Sequence, residues 1–221
     1  VIAGTGSNST SEAVELTRHA AEAGADAALI VSPYYNKPTQ KGLYAHFKTI
    51  ATAVDIPIIL YNIPGRAACN IEPATLAQLA NDCKTIIGVK EASGSLAQMQ
   101  DVMRLCPKGF LLLSGDDALL LPVLSIGGKG VISVAANIVP QDVAQIITTY
   151  ADGQLQKAQA MSYKLLPLVQ ALFLETNPIP IKTAMGLMGL CSDELRLPLC
   201  PMTDSNKDKL KNTLKEFGLI K

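Results

Sequence analysis

The chain has 221 residues, of which 48% are hydrophobic and 17% charged, and its 19 Lys and Arg residues balance its 19 Asp and Glu residues. This balance argues against a nucleic-acid-binding protein, because neutralising phosphates takes a clustered excess of basic residues. The apolar content argues against disorder, and no apolar run reaches the roughly 18 to 20 residues that span a bilayer. We therefore expect a large buried core, and we expect part of the surface to form subunit interfaces.

Six short apolar runs recur along the first two thirds of the chain, each followed by a helical pattern. The predicted strands are Val1–Thr5, Ala27–Ser32, Pro57–Asn62, Ile86–Lys90, Phe110–Ser114 and Val131–Ala135. Continuous apolar runs, unlike alternating ones, indicate strands that are buried on both faces, and such strands are typical of a parallel sheet.

The intervening segments carry helix signals. An amphipathic stretch begins at Ser11 and ends near Gly24, which fits a helix C-terminus, and Pro73 fits the first turn of another helix. Beyond about residue 140 the strand signal stops. The predicted helices there are Pro140–Ala151, Leu155–Phe173, Ile179–Gly189 and Asp204–Phe217, with Ser192–Pro201 as an irregular connection. Because no low-complexity linker interrupts the chain, we predict that residues 1–150 hold the strands with their helices and that residues 151–221 form a helical extension packed on them.

Six βα units fit two architectures. An open doubly wound sheet is complete with six strands, but it usually carries a glycine-rich turn after its first strand, and Gly4-Thr5-Gly6 lacks the third glycine. A (β/α)8 barrel needs eight units and places its catalytic residues at the C-terminal ends of its strands. The polar residues at the strand ends therefore bear on both the fold and the function.

Lys90 is the single lysine among the polar residues that gather at these strand ends. Removing an ammonium group from water disfavours its charged form, so a lysine at the end of an apolar strand is expected to have a lowered pKa. A neutral amine is the nucleophile that Schiff-base chemistry on a ketone requires. The same sequence also fits a lysine that pairs with Glu91 or extends into solvent. Tyr61, at the end of the preceding strand, fits either a proton relay or an amphipathic plug.

The cysteines and histidines indicate neither a disulfide framework nor a metal site. The five cysteines are odd in number without a C-x-x-C pair, and the two histidines lie far apart. We expect free thiols in a cytoplasmic protein, without a resident metal. The opening VIAGTGSNST has no basic region and no cleavage site of a signal peptide.

Seven segments together resemble the dihydrodipicolinate synthase family, and they follow one another in the family's order. They are Gly4–Asn8, Pro33–Gln40, Leu60–Arg66, Gly88–Gly94, Ser114–Asp117, Gly130–Asn137 and Asn177–Lys182. The resemblance implies an α/β fold, a (β/α)8 TIM barrel with a C-terminal helical extension, assembled as a homotetramer from two tight dimers. It implies a lyase that condenses pyruvate with L-aspartate 4-semialdehyde to 4-hydroxy-tetrahydrodipicolinate, on the route to diaminopimelate and lysine, without a cofactor.

The resemblance also implies catalytic roles. Lys90 matches the lysine that forms a Schiff base with pyruvate, and Tyr61 matches the family's proton-relay tyrosine. Tyr35 matches the tyrosine that reaches across the tight-dimer interface into the neighbouring site.

The implied substrate-binding residues surround that lysine. Arg66 matches the arginine that receives the carboxylate of the semialdehyde, a group that a guanidinium can hold with two parallel hydrogen bonds. Gly115 and Ile132 match positions that line the pyruvate pocket. Asp116 and Asp117 receive no role, since capping of a turn explains them equally well.

A regulatory site is implied as well. In the family, L-lysine acts as an inhibitor in a crevice at the tight-dimer interface, and Asn8, Glu12 and Tyr34 match residues that hold it. Asn or Ser as a helix cap with Glu in the first turn is also ordinary chemistry for a helix N-terminus, so the two interpretations stay open.

One family motif does not occur in this sequence. The family carries Gly-Thr-Thr-Gly-Glu at the end of its second strand, whereas the first strand predicted here matches the third. We therefore expect a chain that lacks the first two βα units of a longer enzyme. The sequence alone does not decide whether such a chain is active without them. Two other functions remain possible from the sequence: a related pyruvate-dependent aldolase or sialic-acid lyase, and a βα scaffold without catalytic activity.

Overall fold

The computed structural model describes all 221 residues, and its six strands form one parallel sheet. The strands are β1 (Ile2–Gly4), β2 (Ala27–Val31), β3 (Ile58–Asn62), β4 (Ile86–Glu91), β5 (Leu111–Ser114) and β6 (Gly130–Val131). All six predicted strands are therefore present, each with a shift of a few residues at one or both ends.

The strands lie side by side in the order in which they occur along the chain. A doubly wound sheet reverses its strand order at a switch point, where its ligands bind. The sequential order β1 to β6 has no such point. The doubly wound alternative is therefore excluded.

The largest difference from the predicted strands concerns β6. The sequence predicted Val131–Ala135, but the strand ends at Val131 and a 3-10 helix begins at Ala135. The hydroxyl of Ser133 accepts a hydrogen bond from the backbone N–H of Ala136 at 2.8 Å, which closes a turn where the apolar sequence suggested extended backbone.

Six helices lie among or directly after these strands. They are α1 (Thr10–Glu22), α2 (Gln40–Ala53), α3 (Pro64–Ala67), α4 (Pro73–Asp82), α5 (Leu96–Leu105) and α6 (Leu120–Ser125). The predicted signals hold: Gly24 follows α1 with a φ of +84°, and Pro73 occupies the first turn of α4. Ser95 caps α5 by accepting a hydrogen bond from the Gln98 N–H.

The core lies between one face of the sheet and these helices. Alternate residues of the central strands point into it, since successive strand side chains face opposite sides. Those that are fully buried in this cluster are Ala28, Ile30, Ile58, Leu60, Val89 and Leu112. The intervening strand residues, Tyr61 and Lys90 among them, therefore project from the opposite face.

Contacts divide the chain into two compact units, Val1–Ile132 and Ser133–Lys221. The first unit holds the whole sheet. The second is helical and contains α7 (Pro140–Ala151), α8 (Leu155–Ala171), α9 (Ile179–Leu187) and α10 (Asp204–Phe217).

Within the second unit, α8 packs against α7 and α10, and α10 also packs against α9. The helices α7 and α10 have the predicted bounds, whereas α8 and α9 end two residues early. The predicted division at residue 150 stays a prediction. None of the helices in either unit has the length and apolar character needed to cross a membrane.

Candidate active site

The centre of the candidate site is a contact between Lys90 and Tyr61. These residues lie opposite each other near the ends of the neighbouring strands β4 and β3. The Lys90 Nζ lies 3.9 Å from the centroid of the Tyr61 ring, and both side chains are half-buried. The apolar strands therefore place a primary amine and a phenol next to each other.

Burial shifts the pKa values of both groups. It lowers the pKa of the Lys90 ammonium, and the Arg66 guanidinium lowers it further, while the Asp117 carboxylate raises it. Burial raises the pKa of the Tyr61 phenol, against an opposing effect of Arg66. Lys90 is thus more readily available as a neutral amine than an exposed lysine, and Tyr61 keeps its proton to higher pH.

Arg66 lies close enough to act electrostatically on both residues. It occupies the four-residue helix α3, which starts with Pro64 and ends at Ala68 in a left-handed conformation with a φ of 57°. Its side chain is exposed. The Arg66 guanidinium is therefore exposed and lies near the Lys90 amine.

Gly115 is also brought to the lysine. Its backbone N–H donates to the Glu91 carbonyl at 2.8 Å, which fixes the chain beside β4. A Cβ atom at this position would lie 3.2 Å from the Lys90 Cε and only 2.6 Å from the Ala92 Cβ. The close approach of Ala92 therefore requires a glycine at this position, and its missing side chain leaves space beside the Lys90 side chain. Ile132 continues the ladder beyond β6, donating its N–H to the Ser114 carbonyl at 2.9 Å.

The two aspartates that follow Gly115 differ in role. Asp116 accepts a hydrogen bond from the Ala118 N–H at 2.9 Å, so it caps the turn, one of the two roles that the sequence left open for it. Asp117 is buried and acts on the pKa of Lys90. Sequence reasoning left Asp117 without a role, and only its proximity to Lys90 identifies it.

The alternative in which Lys90 pairs with Glu91 is wrong. Successive residues of a strand point to opposite faces, so the Glu91 side chain projects into the core, away from the amine. It is fully buried and accepts hydrogen bonds from Asn62, Ser93 and Gln98.

Tyr35 does not join this group within the chain. Its side chain is 89% exposed, and its backbone adopts a left-handed conformation with a φ of 74°. It neither donates a hydrogen bond nor packs on another ring. Its expected role across a subunit interface stays a prediction.

The residues of the expected regulatory site lie around the start of α1. The Asn8 side chain donates to the Tyr34 carbonyl at 3.2 Å, which joins the loops after β1 and β2. Glu12 lies in the first turn of α1 and accepts a hydrogen bond from the Ser7 hydroxyl at 2.7 Å. The N-cap residue Ser9 makes no capping hydrogen bond through its side chain. The structure thus brings Asn8 and Tyr34 together, with Glu12 held by Ser7.

No three His, Cys, Asp or Glu side chains lie close enough together to hold a metal ion. The chemistry that this site offers is that of a half-buried amine, a half-buried phenol and a nearby guanidinium.

Comparison with known proteins identifies relatives over the whole chain. Residues 1–217 match the profile of the Dihydrodipicolinate synthetase family. The chain is 60% identical over 221 residues to a protein of Endomicrobium trichonymphae and 57% identical over 220 residues to one of Syntrophus aciditrophicus (strain SB). Both are named 4-hydroxy-tetrahydrodipicolinate synthase, and the matches cover all of this chain and 76% and 75% of the relatives.

Solved structures show the same fold. A chloride-inhibited dihydrodipicolinate synthase from Acinetobacter baumannii, complexed with pyruvate, matches with a TM-score of 0.96 at 43% identity, over 99% of this chain and 75% of that one. The enzyme from Cyanidioschyzon merolae with lysine bound matches with a TM-score of 0.97 at 44% identity, over 100% and 74%. A monomeric dihydrodipicolinate synthase variant matches with a TM-score of 0.98 at 43% identity, also over 100% and 74%.

Proposed function

Because this chain belongs to the Dihydrodipicolinate synthetase family, we propose that Lys90 is the amine through which it binds pyruvate. The chain is a lyase that condenses pyruvate with L-aspartate 4-semialdehyde to 4-hydroxy-tetrahydrodipicolinate in lysine and diaminopimelate biosynthesis. The observation that carries the assignment is the contact of the Lys90 amine, whose pKa is lowered by burial, with the Tyr61 ring.

The chemistry begins with attack of the neutral Lys90 amine on the ketone carbon of pyruvate. Loss of water gives an iminium ion, which withdraws electrons from the neighbouring methyl group. A methyl proton then leaves, and the resulting enamine carbon attacks the aldehyde carbon of the semialdehyde, forming the new carbon–carbon bond and restoring the iminium ion. The amino group of the semialdehyde then attacks the iminium carbon, which closes the ring and releases the Lys90 amine. The half-buried position of Lys90 favours the first step because it makes the free amine accessible nearer neutral pH.

Tyr61 serves as the proton donor and acceptor of these steps. Its phenol stays protonated because burial raises its pKa, so it can protonate the oxygen that leaves as water. We assign Tyr35 to the same relay in the site of a neighbouring subunit, since its exposed ring has no role within its own chain.

Arg66 receives the carboxylate of the semialdehyde. It is exposed, yet close enough to Lys90 to affect the pKa of that residue, so a carboxylate on the guanidinium would lie near the enamine. Gly115 and Ile132 shape the pyruvate pocket. Gly115 leaves space beside the Lys90 side chain, and Ile132 continues the pairing of β5 and β6 through its hydrogen bond to Ser114.

The six strands correspond in this proposal to strands three to eight of a (β/α)8 barrel, with residues 151–221 as its helical extension. The sequential parallel order and the match to about three quarters of each relative's length support this correspondence. The assembly we propose is a homotetramer of tight dimers. A monomeric variant among the solved structures shows that a tetramer does not follow from the fold alone. The cytoplasmic location stays a prediction from the cysteines.

Inhibition by L-lysine is the regulatory part of the proposal. Asn8 and Tyr34 are joined by a hydrogen bond, and Glu12 lies near them at the start of α1. An amide and a carboxylate can bind the carboxylate and the α-ammonium of an amino acid. The lysine-bound structure of a relative at 44% identity supports the assignment.

The test of the proposed function compares Arg66→Ala with the parent protein in the condensation reaction. Losing a charge-assisted hydrogen bond costs about 1.5–3 kcal/mol, so we expect a roughly ten- to hundredfold higher KM for the semialdehyde. Capture of pyruvate by Lys90 is expected to remain. Arg18→Ala, which removes an exposed arginine of α1, is the matched control. Equal losses for the two substrates, or a parent protein that prefers sugar aldehydes to the semialdehyde, would contradict the proposal.

A further inference from the structure

Two rows of side chains leave the ends of β3 and β4 in opposite directions. Tyr61 lies opposite Lys90 on the reactive face, and the next residues, Asn62 and Glu91, lie opposite each other on the face that meets the helices. Asn62 and Glu91 are 1% and 0% exposed. A buried polar pair thus lies directly behind the two residues that carry the chemistry.

The Glu91 carboxylate is held by amide groups alone. Its Oε2 accepts hydrogen bonds from Asn62 Nδ2 at 2.9 Å and from Gln98 Nε2 at 3.1 Å. Its Oε1 accepts from the backbone N–H of Ser93 at 2.7 Å and from Asn62 Nδ2 at 3.2 Å. All four contacts use the carboxyl oxygens as acceptors, and no salt bridge includes Glu91. Buried charges are normally paired with an opposite charge, so this residue needs an explanation other than an ion pair.

The same group of side chains is linked to Asn70. The Asn70 Oδ1 accepts hydrogen bonds from Asn62 Nδ2 at 2.8 Å and from Gln98 Nε2 at 3.1 Å, and its Nδ2 donates to Gln98 Oε1 at 2.9 Å. Asn62 Oδ1 in turn accepts from the Ile71 N–H at 2.9 Å. We call Glu91, Asn62, Asn70 and Gln98 the Glu91 network.

The Glu91 network ties together the two ends of the segment that carries Arg66. Asn62 precedes this segment and Asn70 follows it. The Asn62 amide donates to both the Asn70 side chain and the buried carboxylate, and Asn70 is connected to that carboxylate through Gln98. The helix α3 within the segment has only four residues, too few to be stable without outside contacts. The position of the exposed Arg66 therefore depends on how its two flanking residues are held.

We propose that Glu91 is a positioning residue for Arg66: its carboxylate fixes Asn62 and, through Gln98, Asn70, and so sets the distance between the guanidinium and the Lys90 amine. The inference rests on the proposed function, in which Arg66 receives the carboxylate of the second substrate. The backbone that carries Lys90 is held by hydrogen bonds of the neighbouring residues. The Ala92 N–H donates to the Asn62 carbonyl at 2.8 Å, and the Gly115 N–H donates to the Glu91 carbonyl at 2.8 Å. These backbone bonds do not use the Glu91 side chain.

The test is Glu91→Gln, which keeps the size of the side chain and replaces one acceptor by an NH2 donor. At Oε2 that donor would face Asn62 and Gln98, and at Oε1 it would face Asn62 and the Ser93 N–H. We expect the KM for the semialdehyde to rise about tenfold. We expect the KM for pyruvate and the yield of the borohydride-reduced pyruvate adduct to stay within about twofold, since Lys90 keeps its backbone contacts.

A double-variant cycle shows whether Glu91 acts through Arg66. Adding Glu91→Gln to Arg66→Ala should raise the semialdehyde KM no further, because the residue that is positioned has already been removed. Exchanging the two groups, in Glu91→Gln with Gln98→Glu, should recover part of the loss by pairing an amide at 91 with a carboxylate at 98. Additive effects in the double variant, or equal losses for pyruvate and semialdehyde, would overturn the proposal.

Asn70→Ala covers the case in which Glu91→Gln does not fold. It breaks the same network at the far end of the Arg66 segment, at a partly exposed position outside β4. The same selective rise in semialdehyde KM is expected, and an unchanged KM would overturn the proposal. If Arg66→Ala alone leaves the semialdehyde KM unchanged, both the role of Arg66 and its positioning by Glu91 are wrong. If Arg66→Ala raises that KM while neither network variant does, only the inference about Glu91 is wrong.

Discussion

The end of β3 and the loop that follows β2 each carry a tyrosine assigned to the reaction, Tyr61 and Tyr35, yet the environments of these two residues are opposite. Tyr61 is half-buried against the Lys90 amine, with neighbours in the sheet on both sides of its strand. Tyr35 is 89% exposed in a loop with a positive φ. Tyr61 is positioned by contacts within its own chain, whereas the proposed role of Tyr35 requires a neighbouring subunit.

The difference separates two kinds of functional residue. A residue at the end of a buried strand acquires its pKa and its orientation from the fold, as Lys90 and Tyr61 do. Tyr35 lies on an exposed loop, and under the proposal it is positioned by a neighbouring subunit. Substitutions of Lys90 or Tyr61 are therefore expected to impair the active site of the same subunit. Substitutions of Tyr35 are expected to impair the active site of the neighbouring subunit.

The largest of these effects is expected for Tyr61→Phe. Losing a positioned acid–base group typically costs about a hundred- to ten-thousandfold in rate, and the ring that contacts Lys90 is kept. Steady-state kinetics should show the loss in kcat with little change in the KM for pyruvate. A loss of less than about tenfold would mean that Tyr61 serves only to pack against the lysine.

A smaller effect is expected for Tyr35→Phe, about two- to tenfold, because it removes a single hydroxyl hydrogen bond from the relay. The sharper measurement uses co-expression with Lys90→Arg. A mixed dimer contains one site with an intact Lys90 and an intact Tyr35 from its partner. Its activity should exceed the average of the two parental variants. Activity equal to the average of the parents would place Tyr35 in its own subunit's site or outside catalysis.

The smallest effect concerns pH. The Asp117 carboxylate raises the pKa of Lys90, so Asp117→Asn should lower that pKa further. A lower pKa populates the free amine at lower pH, and the acidic limb of the pyruvate-capture profile should move to lower pH. Asp116→Asn is the matched control, because the Asp116 carboxylate binds the Ala118 N–H and is not among the groups that shift Lys90. Equal shifts for the two variants would contradict the assignment.

The sequence predicts the strand ends because a buried parallel strand is a local pattern. The apolar run before Lys90 and the run before Tyr61 predict that each residue lies at the end of a strand, and the structure shows that these two strands are neighbours. The predicted end of β6 was wrong because the Ser133 hydroxyl closes a turn within an apolar stretch. A side-chain hydroxyl that competes with the strand for backbone hydrogen bonds leaves no signal in the hydrophobicity pattern.

The surroundings of the reactive pair were less predictable. Glu91 accepts hydrogen bonds from Asn62, which is 29 positions away in the sequence, and from Gln98, which is 7 positions away in α5. These hydrogen bonds form only when the sheet and α5 are assembled. One signal was present in the sequence: a residue next to a strand lysine points to the opposite face, which argues against pairing of Glu91 with Lys90. The effect of Asp117 on Lys90 is electrostatic. It depends on the distance between β4 and the 3-10 turn after β5, which no local sequence pattern contains.

The central claim is that Lys90 forms the Schiff base with pyruvate, and reductive trapping tests it most directly. The protein is incubated with pyruvate and borohydride, digested, and the modified peptide is identified by mass spectrometry. We predict a single reduced adduct on Lys90 and none in Lys90→Arg, because a guanidinium stays protonated and cannot act as the amine nucleophile. An adduct on Lys182 or any other lysine, or an adduct that persists in Lys90→Arg, would contradict the account.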